Sequence, residues 1–192
     1  MTRLLITVAT FGALAVALVL GVAWLVVSPA DQRWEPAVNT LALLAGITGI
    51  FAERWAAERE RRLQAVESIR SELVHDAEVL DDAAFNADPD AYRRRRVYPR
   101  LVVSAVDSAF ASGALSYRRD GELIAKLHAW RDMVNTVNRR LDLTESLTFA
   151  TASTDEVEQF SKALHRADGY LTGARDLLTN LQSYLDNNWK PR

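Results

Sequence analysis

An unbroken apolar run from Leu4 to Val27 limits this chain more than any other feature, because it holds no charged residue, no amide side chain and no proline. It exceeds the ~20 residues that carry a helix across a hydrocarbon core of about 30 Å, and so reads as a transmembrane helix. A cleavable leader is the rival reading, with Arg3 in front and Ser28-Pro29-Ala30 as a cleavage site. The run is well beyond the roughly 7–15 apolar residues of such a leader, which favours the membrane span.

A second apolar run, Ala37 to Ala52, is bracketed by Trp34 and Trp55. At ~1.5 Å per residue the two indoles stand roughly 30 Å apart, matching the two interfacial belts of one bilayer. Pro36 suits the first turn of a helix, where no backbone donor is lost. The spans are expected at about 4–27 and 37–52, joined by a loop too short to be a domain. Arg54, Arg59, Arg61 and Arg62 follow the second span, Arg3 precedes the first, and the loop carries Arg33 alone. That asymmetry places both termini on the cytoplasmic side.

The formal net charge is -2, and before Glu53 the charged residues are Arg3, Asp31, Arg33 and Glu35. The sequence therefore divides into an apolar hairpin, residues 1–55, and a charged remainder, residues 56–192. Near-neutrality gives no bulk attraction to nucleic acid, so a DNA partner is not expected. The absence of cysteine excludes disulfides, thiolate metal sites and a cysteine nucleophile.

Within the spans, Ala9, Ala13, Ala17 and Gly21 recur every four residues, and Ala42 with Gly46 and Ala45 with Gly49 repeat that spacing. Small residues so placed let helices approach closely in lipid, either within one hairpin or between chains of an oligomer. Asn39, Thr40 and Thr48 are the polar candidates for lining a water-filled path. No ionisable residue lies mid-span to serve a proton relay.

Beyond Trp55 the spacing is helical. Leu63, Val66, Leu73, Ala77 and Leu80 mark one face, so a single stalk helix from about Pro36 to Phe85 is expected, reaching roughly 45–50 Å past the membrane. A second helix is expected from about Tyr98 to Ala114. A third carries Leu123, Leu127, Trp130, Val134, Val137 and Leu141. Ser153 and Glu156 form a capping box before a last helix in which Val157, Phe160, Leu164, Ala167, Leu171, Ala174, Leu178, Leu181 and Leu185 alternate steps of three and four without a break. The expected fold is thus all-α, a transmembrane hairpin followed by a cytoplasmic antiparallel four-helix bundle.

Arg93, Arg94, Arg95 and Arg96, with Arg100 close behind, form the densest charge cluster. At the far end of the stalk they lie many Debye lengths from lipid, which leaves phosphate-bearing ligands, RNA or an acidic protein face as partners. The bland alternative is a solvated helix face neutralised by Asp81, Asp82, Asp88 and Asp90. Glu72 and His75 make half of a carboxylate di-iron motif, but neither His128 nor His165 has a Glu three residues before it, so no metal and no cofactor is expected. No phosphate-cradling loop and no nucleophile-elbow motif is present, and an enzyme is not expected.

The order of parts, with Trp34-Glu35-Pro36 opening a short second span, "FAERWAAERERR" after it and a helical domain beyond, resembles small two-span membrane proteins of bacterial genomes. Some of these are similar to antiphage effectors, including accessory membrane proteins of RNA-targeting CRISPR systems with a HEPN-like domain and pore-assembling spans. The resemblance implies an oligomeric inner-membrane effector that alters permeability when its cytoplasmic domain senses a partner. Arg70 and His75 match the R-x4-H spacing of HEPN ribonucleases and are the catalytic candidates that resemblance implies, although here they fall on the first cytoplasmic helix. A tethered adaptor that recruits a cytosolic protein or an RNA–protein complex is the alternative, and a membrane-bound HEPN-like ribonuclease is the remote one.

Overall fold

The segregation of charge in the sequence becomes two structural units, Met1–Arg59 and Glu60–Arg192. The boundary falls a few residues after the one expected from composition at residue 55. The structure is a computed structural model and describes residues 2–27, 29, 34–85, 97–149, 154–166 and 168–189. All regular structure among them is helical: α1 (Thr2–Val27), α2 (Trp34–Leu80), a 3-10 turn (Ala83–Phe85), α3 (Ser104–Ser112), α4 (Tyr117–Phe149), α5 (Thr154–His165) and α6 (Tyr170–Asn188).

The first unit is an antiparallel hairpin of α1 and the start of α2. Phe11 stacks on Phe51 with ring centroids 6.2 Å apart. Farther along α1, a side chain at Gly21 would collide with Thr40, so glycine is what lets the helices approach there. α1 stops short of Pro29, whose ring disfavours helical backbone in the residue before it. Among the described residues, no helix is long and apolar enough to cross a membrane. The Phe11–Phe51 and Gly21–Thr40 contacts hold α1 and the start of α2 as a helical hairpin.

α2 is a single helix of 47 residues that ends at Leu80, short of the end expected near Phe85. Its described core face is Val66, Ile69, Leu73 and Leu80, each at most 3% exposed, whereas Leu63 lies open at 38%. The stripe expected on α4 is wholly inside, with Leu123, Leu127, Trp130, Val134, Val137 and Leu141 no more than 2% exposed. α4 packs against α5 and α6. Three α6 or near-α6 contacts tie that layer to α2: Gln182 donates to the Leu73 carbonyl (3.2 Å), Arg175 to the Leu80 carbonyl (2.6 Å), and Arg70 to the Trp189 carbonyl (2.7 Å).

Two expected helices are corrected. The helix expected from Tyr98 begins only at Ser104, because Pro99 disfavours helical backbone at Tyr98, and residues 97–103 form an irregular strap instead. α3 closes on Gly113, which adopts a left-handed conformation (φ 64°) and donates its N–H to the Phe110 carbonyl. The last helix is interrupted between His165 and Tyr170. A Cβ on Gly169 would lie 2.8–2.9 Å from the carbonyl oxygens of Ala163, Leu164 and Arg166, so the chain turns there on a residue that only glycine can be. The second unit is consequently the end of α2 with α3, α4, α5 and α6, rather than four long helices. Of the capping-box residues, Ser153 lies outside the described residues; α5 starts at the next one, Thr154. Val157, Phe160 and Ala167 of the expected heptad likewise have side chains outside the described ones.

Leu127→Ala should cost about 2–5 kcal/mol, because the site is sealed and can collapse only partly. Leu143→Ala, at a position 45% exposed on the same helix, should stay within about 0.5 kcal/mol. Urea denaturation of the two variants followed by circular dichroism checks the contrast.

Candidate functional site

The most elaborate polar construction in the described structure surrounds the strap at residues 97–103. Irregular backbone packed against helices leaves N–H and C=O groups without the partners that a helix or sheet would supply, and side chains can take that place. α4 and α2 supply them from opposite sides. On α4, Glu145 accepts the Tyr98 N–H (2.7 Å), and Asn138 makes a matched pair with Leu101, accepting its N–H (3.2 Å) and donating to its carbonyl (2.9 Å). On α2, Asp76 accepts the Val102 N–H (2.9 Å).

One helical turn earlier, Glu72 accepts from Ser104 Oγ (2.9 Å), the Ala105 N–H (2.6 Å) and the Val106 N–H (3.3 Å). These amides open α3, whose own preceding residue, Val103, supplies no side-chain cap. Glu72 therefore caps α3 from a different helix, placing negative charge where orphan donors and the helix dipole favour it. The Glu72 oxygens are thus occupied by the start of α3, and His75, three residues on, is exposed.

Arg100 is the one member of the predicted arginine cluster that the structure describes; Arg93, Arg94, Arg95 and Arg96 lie outside the described residues. It is not an open phosphate-binding cation. Its guanidinium is bound to Asp142 (2.7 Å) and Glu145 (2.6 Å) and also donates to the Tyr98 carbonyl (2.7 Å). The bond from Arg100 holds the Glu145 carboxyl below its ordinary range, and the same bond holds the guanidinium above its own.

Arg70 and His75 are not brought together as a catalytic pair. Arg70 is committed to the C-terminal end of α6 through the carbonyls of Leu185 (3.4 Å) and Trp189 (2.7 Å), a position that suits a cation. Arg62, two turns before it, stacks on the Trp189 ring (4.1 Å to the centroid) and pairs with Asp120. Asp120 also accepts the Ser116 N–H (2.9 Å), so it caps α4 and pairs with Arg62 at once. His128 is stacked on Phe110 with centroids 4.4 Å apart.

In the hairpin, Gly21 meets Thr40, so Thr40 faces the α1 partner within the chain. Ala17 is half-buried, while the side chains of Ala9 and Ala13 lie outside the described ones. Ala42, Gly46 and Gly49 are exposed, and a Cβ on either glycine would meet nothing within 4 Å. Asn39 and Thr48 are exposed, the Thr48 hydroxyl donating to the Leu44 carbonyl (2.7 Å).

A groove of about 480 Å³ opens between α2 and α3 beside the Glu72 cap, walled by Arg61, Gln64, Ser68, Ser104, Ser108 and Ser112 among small alanines. Sequence reading missed the Glu72–Asp76 pair, Asn138 and this groove. The available signal was that two acids, Glu72 and Asp76, interrupt the buried α2 stripe of Ile69, Leu73 and Leu80 at helical spacing. Among known proteins, no family model, no curated protein and no solved structure matches the chain.

Asn138→Ala should strip both partners from Leu101, a residue 3% exposed, and cost about 2–4 kcal/mol. Asp142→Ala should cost less than about 1 kcal/mol, because its side chain is 65% exposed and Glu145 still holds Arg100. Thermal and urea unfolding of both variants measures the difference.

Proposed function

We propose that this chain is a membrane-anchored, non-enzymatic binding protein. The hairpin sits in the bacterial inner membrane with both termini cytoplasmic, and the helical bundle recruits a cytosolic protein or an RNA–protein complex to the bilayer. The observation that carries the reading is the outer surface of the hairpin unit. Val19, Leu20, Trp24, Val26 and Leu41 are all more than 60% exposed, on a unit whose described helices bury almost nothing of each other. A contiguous apolar surface of this kind in water would drive aggregation, whereas lipid covers it without cost. The full length of α1, with Arg3 as its one charged residue, supplies the length for a span at ~1.5 Å per residue. The serine-lined groove between α2 and α3 is the surface such a partner would use.

A permeability-altering oligomer of the antiphage-effector type is the second reading. One observation favours it: the open space over Gly46 and Gly49 would admit a neighbouring helix at close range. Against it, Thr40 faces α1 and the Thr48 hydroxyl is spent on its own helix, which leaves Asn39 as the candidate polar lining. The ribonuclease reading has the least support, since Arg70 is bound to the end of α6.

The natural absence of cysteine makes topology directly measurable. A single cysteine at Gln32 should react with an impermeant maleimide in intact cells, and one at exposed Asp132 only after the membrane is opened. Reversal of that pattern, or release of the protein by alkaline carbonate, would sink the membrane assignment. The mass of the nanodisc-embedded protein separates the two readings: a monomer or dimer supports the recruiting protein, and a ring of six or more supports the pore.

A further inference from the structure

Glu72 and Asp76 lie one turn apart on the buried face of α2, yet the structure treats them differently. The Glu72 carboxyl receives three donors from the start of α3. Asp76 is fully buried, receives one donor from Val102 on its Oδ1, and leaves Oδ2 sealed from water with no partner. A second buried anion at this position is therefore poorly solvated and faces a like charge on its own helix.

The surrounding charges do not relieve it. On α2, His75 is exposed and lowers the cost of ionising Asp76 only as the smallest of the influences upon it. From the strap, Arg100 is taken by Asp142 and Glu145 of α4. Asn138 of α4 is neutral and bound to Leu101. Toward α6, Arg175 donates to the Leu80 carbonyl, Gln182 to the Leu73 carbonyl, and Arg70 to the α6 terminus.

We propose that Glu72 and Asp76 form a proton-operated clasp on the strap and the start of α3: the clasp is closed while Asp76 carries a proton and loosens when that proton leaves. In the closed form Asp76 Oδ1 still accepts the Val102 N–H, and the proton on Oδ2 removes the buried charge that Glu72 opposes. On deprotonation the proton goes to solvent, and the two carboxylates repel across one helical turn while sharing the same short segment. The strap is the segment through which the arginine-rich residues 93–96 are joined to α3, so the clasp would regulate how firmly that connection is held.

The direction of the effect follows from linkage. Burial, with the Glu72 charge adding to it, pushes the Asp76 carboxyl up from 3.8 to about 6. The folded state therefore holds this proton over a pH range in which the opened state has lost it. Stability from this group is greatest in acid, falls as pH rises from about 4 to about 6, and is level above that. Opening of the strap that exposes Asp76 should become about tenfold more frequent between pH 5 and pH 7.5.

The test is hydrogen exchange on the full-length protein in nanodiscs, corrected for the intrinsic pH dependence of exchange, comparing amides of residues 97–106 with those of α6. The expected result is an acceleration near tenfold confined to the strap and the start of α3. Asp76→Asn keeps the acceptor for Val102 and cannot ionise, so it should abolish the pH dependence. Glu72→Gln, which keeps an oxygen for the α3 amides, should move the midpoint to lower pH. A strap that exchanges alike at both pH values, an acceleration shared equally by α6, or an unchanged pH dependence in Asp76→Asn overturns the clasp. If Asp76→Asn does not fold, the wild-type comparison of strap with α6 and the Glu72→Gln midpoint still decide it.

Discussion

The second structural unit depends on one requirement above others, that the backbone of an irregular segment packed against helices find hydrogen-bond partners. Residues 97–103 cannot bond to themselves as a helix would, and no strand lies beside them among the described residues. The need is met by side chains on two flanking helices: Asn138 and Glu145 on α4, and Asp76, continued by Glu72 at α3, on α2. A buried donor left unpaired costs more than a formed bond returns, so these residues define the geometry between α2, α3 and α4. The Arg100 ion pairs lie at the edge of the same construction and close its solvent side.

That solution has a chemical consequence. Asparagine can serve both backbone groups of Leu101 and remain neutral, whereas the α2 side uses carboxyls, which bring charge into the interior. Glu72 is matched to its place because helix α3 offers several amides at its positive end. Asp76 is matched to one amide and no cation, and burial raises its proton affinity accordingly. The same arrangement that completes the fold thus couples it to protons.

The hairpin unit works by different physics. Its helices meet where Phe11 stacks on Phe51 and where Gly21 admits Thr40, and the rest of the apolar surface faces outward. Among the described side chains of that unit, none is sealed as those of Trp130 and Leu141 are. A surface that would be a defect in water becomes appropriate in lipid, which is why the membrane reading rests on the outside of these helices rather than on their contact.

Periodicity alone determined much of this protein: the all-helical class, the uninterrupted α2, the core stripe of α4 and most of the buried face of α6, because helical spacing of apolar residues is a local property that burial rewards. Tertiary structure alone decided what the charged residues do, whereas the strap and the break at Gly169 have local causes in Pro99 and in the glycine itself. Arg70, Glu72, Asp76 and Arg100 have ordinary helical or loop surroundings in the sequence, yet each is defined by partners roughly 25 to 120 positions away. A hydrogen bond to a distant backbone leaves no periodic trace, so nothing in the sequence shows that Arg70 binds the end of α6 or that Arg100 joins the strap to α4.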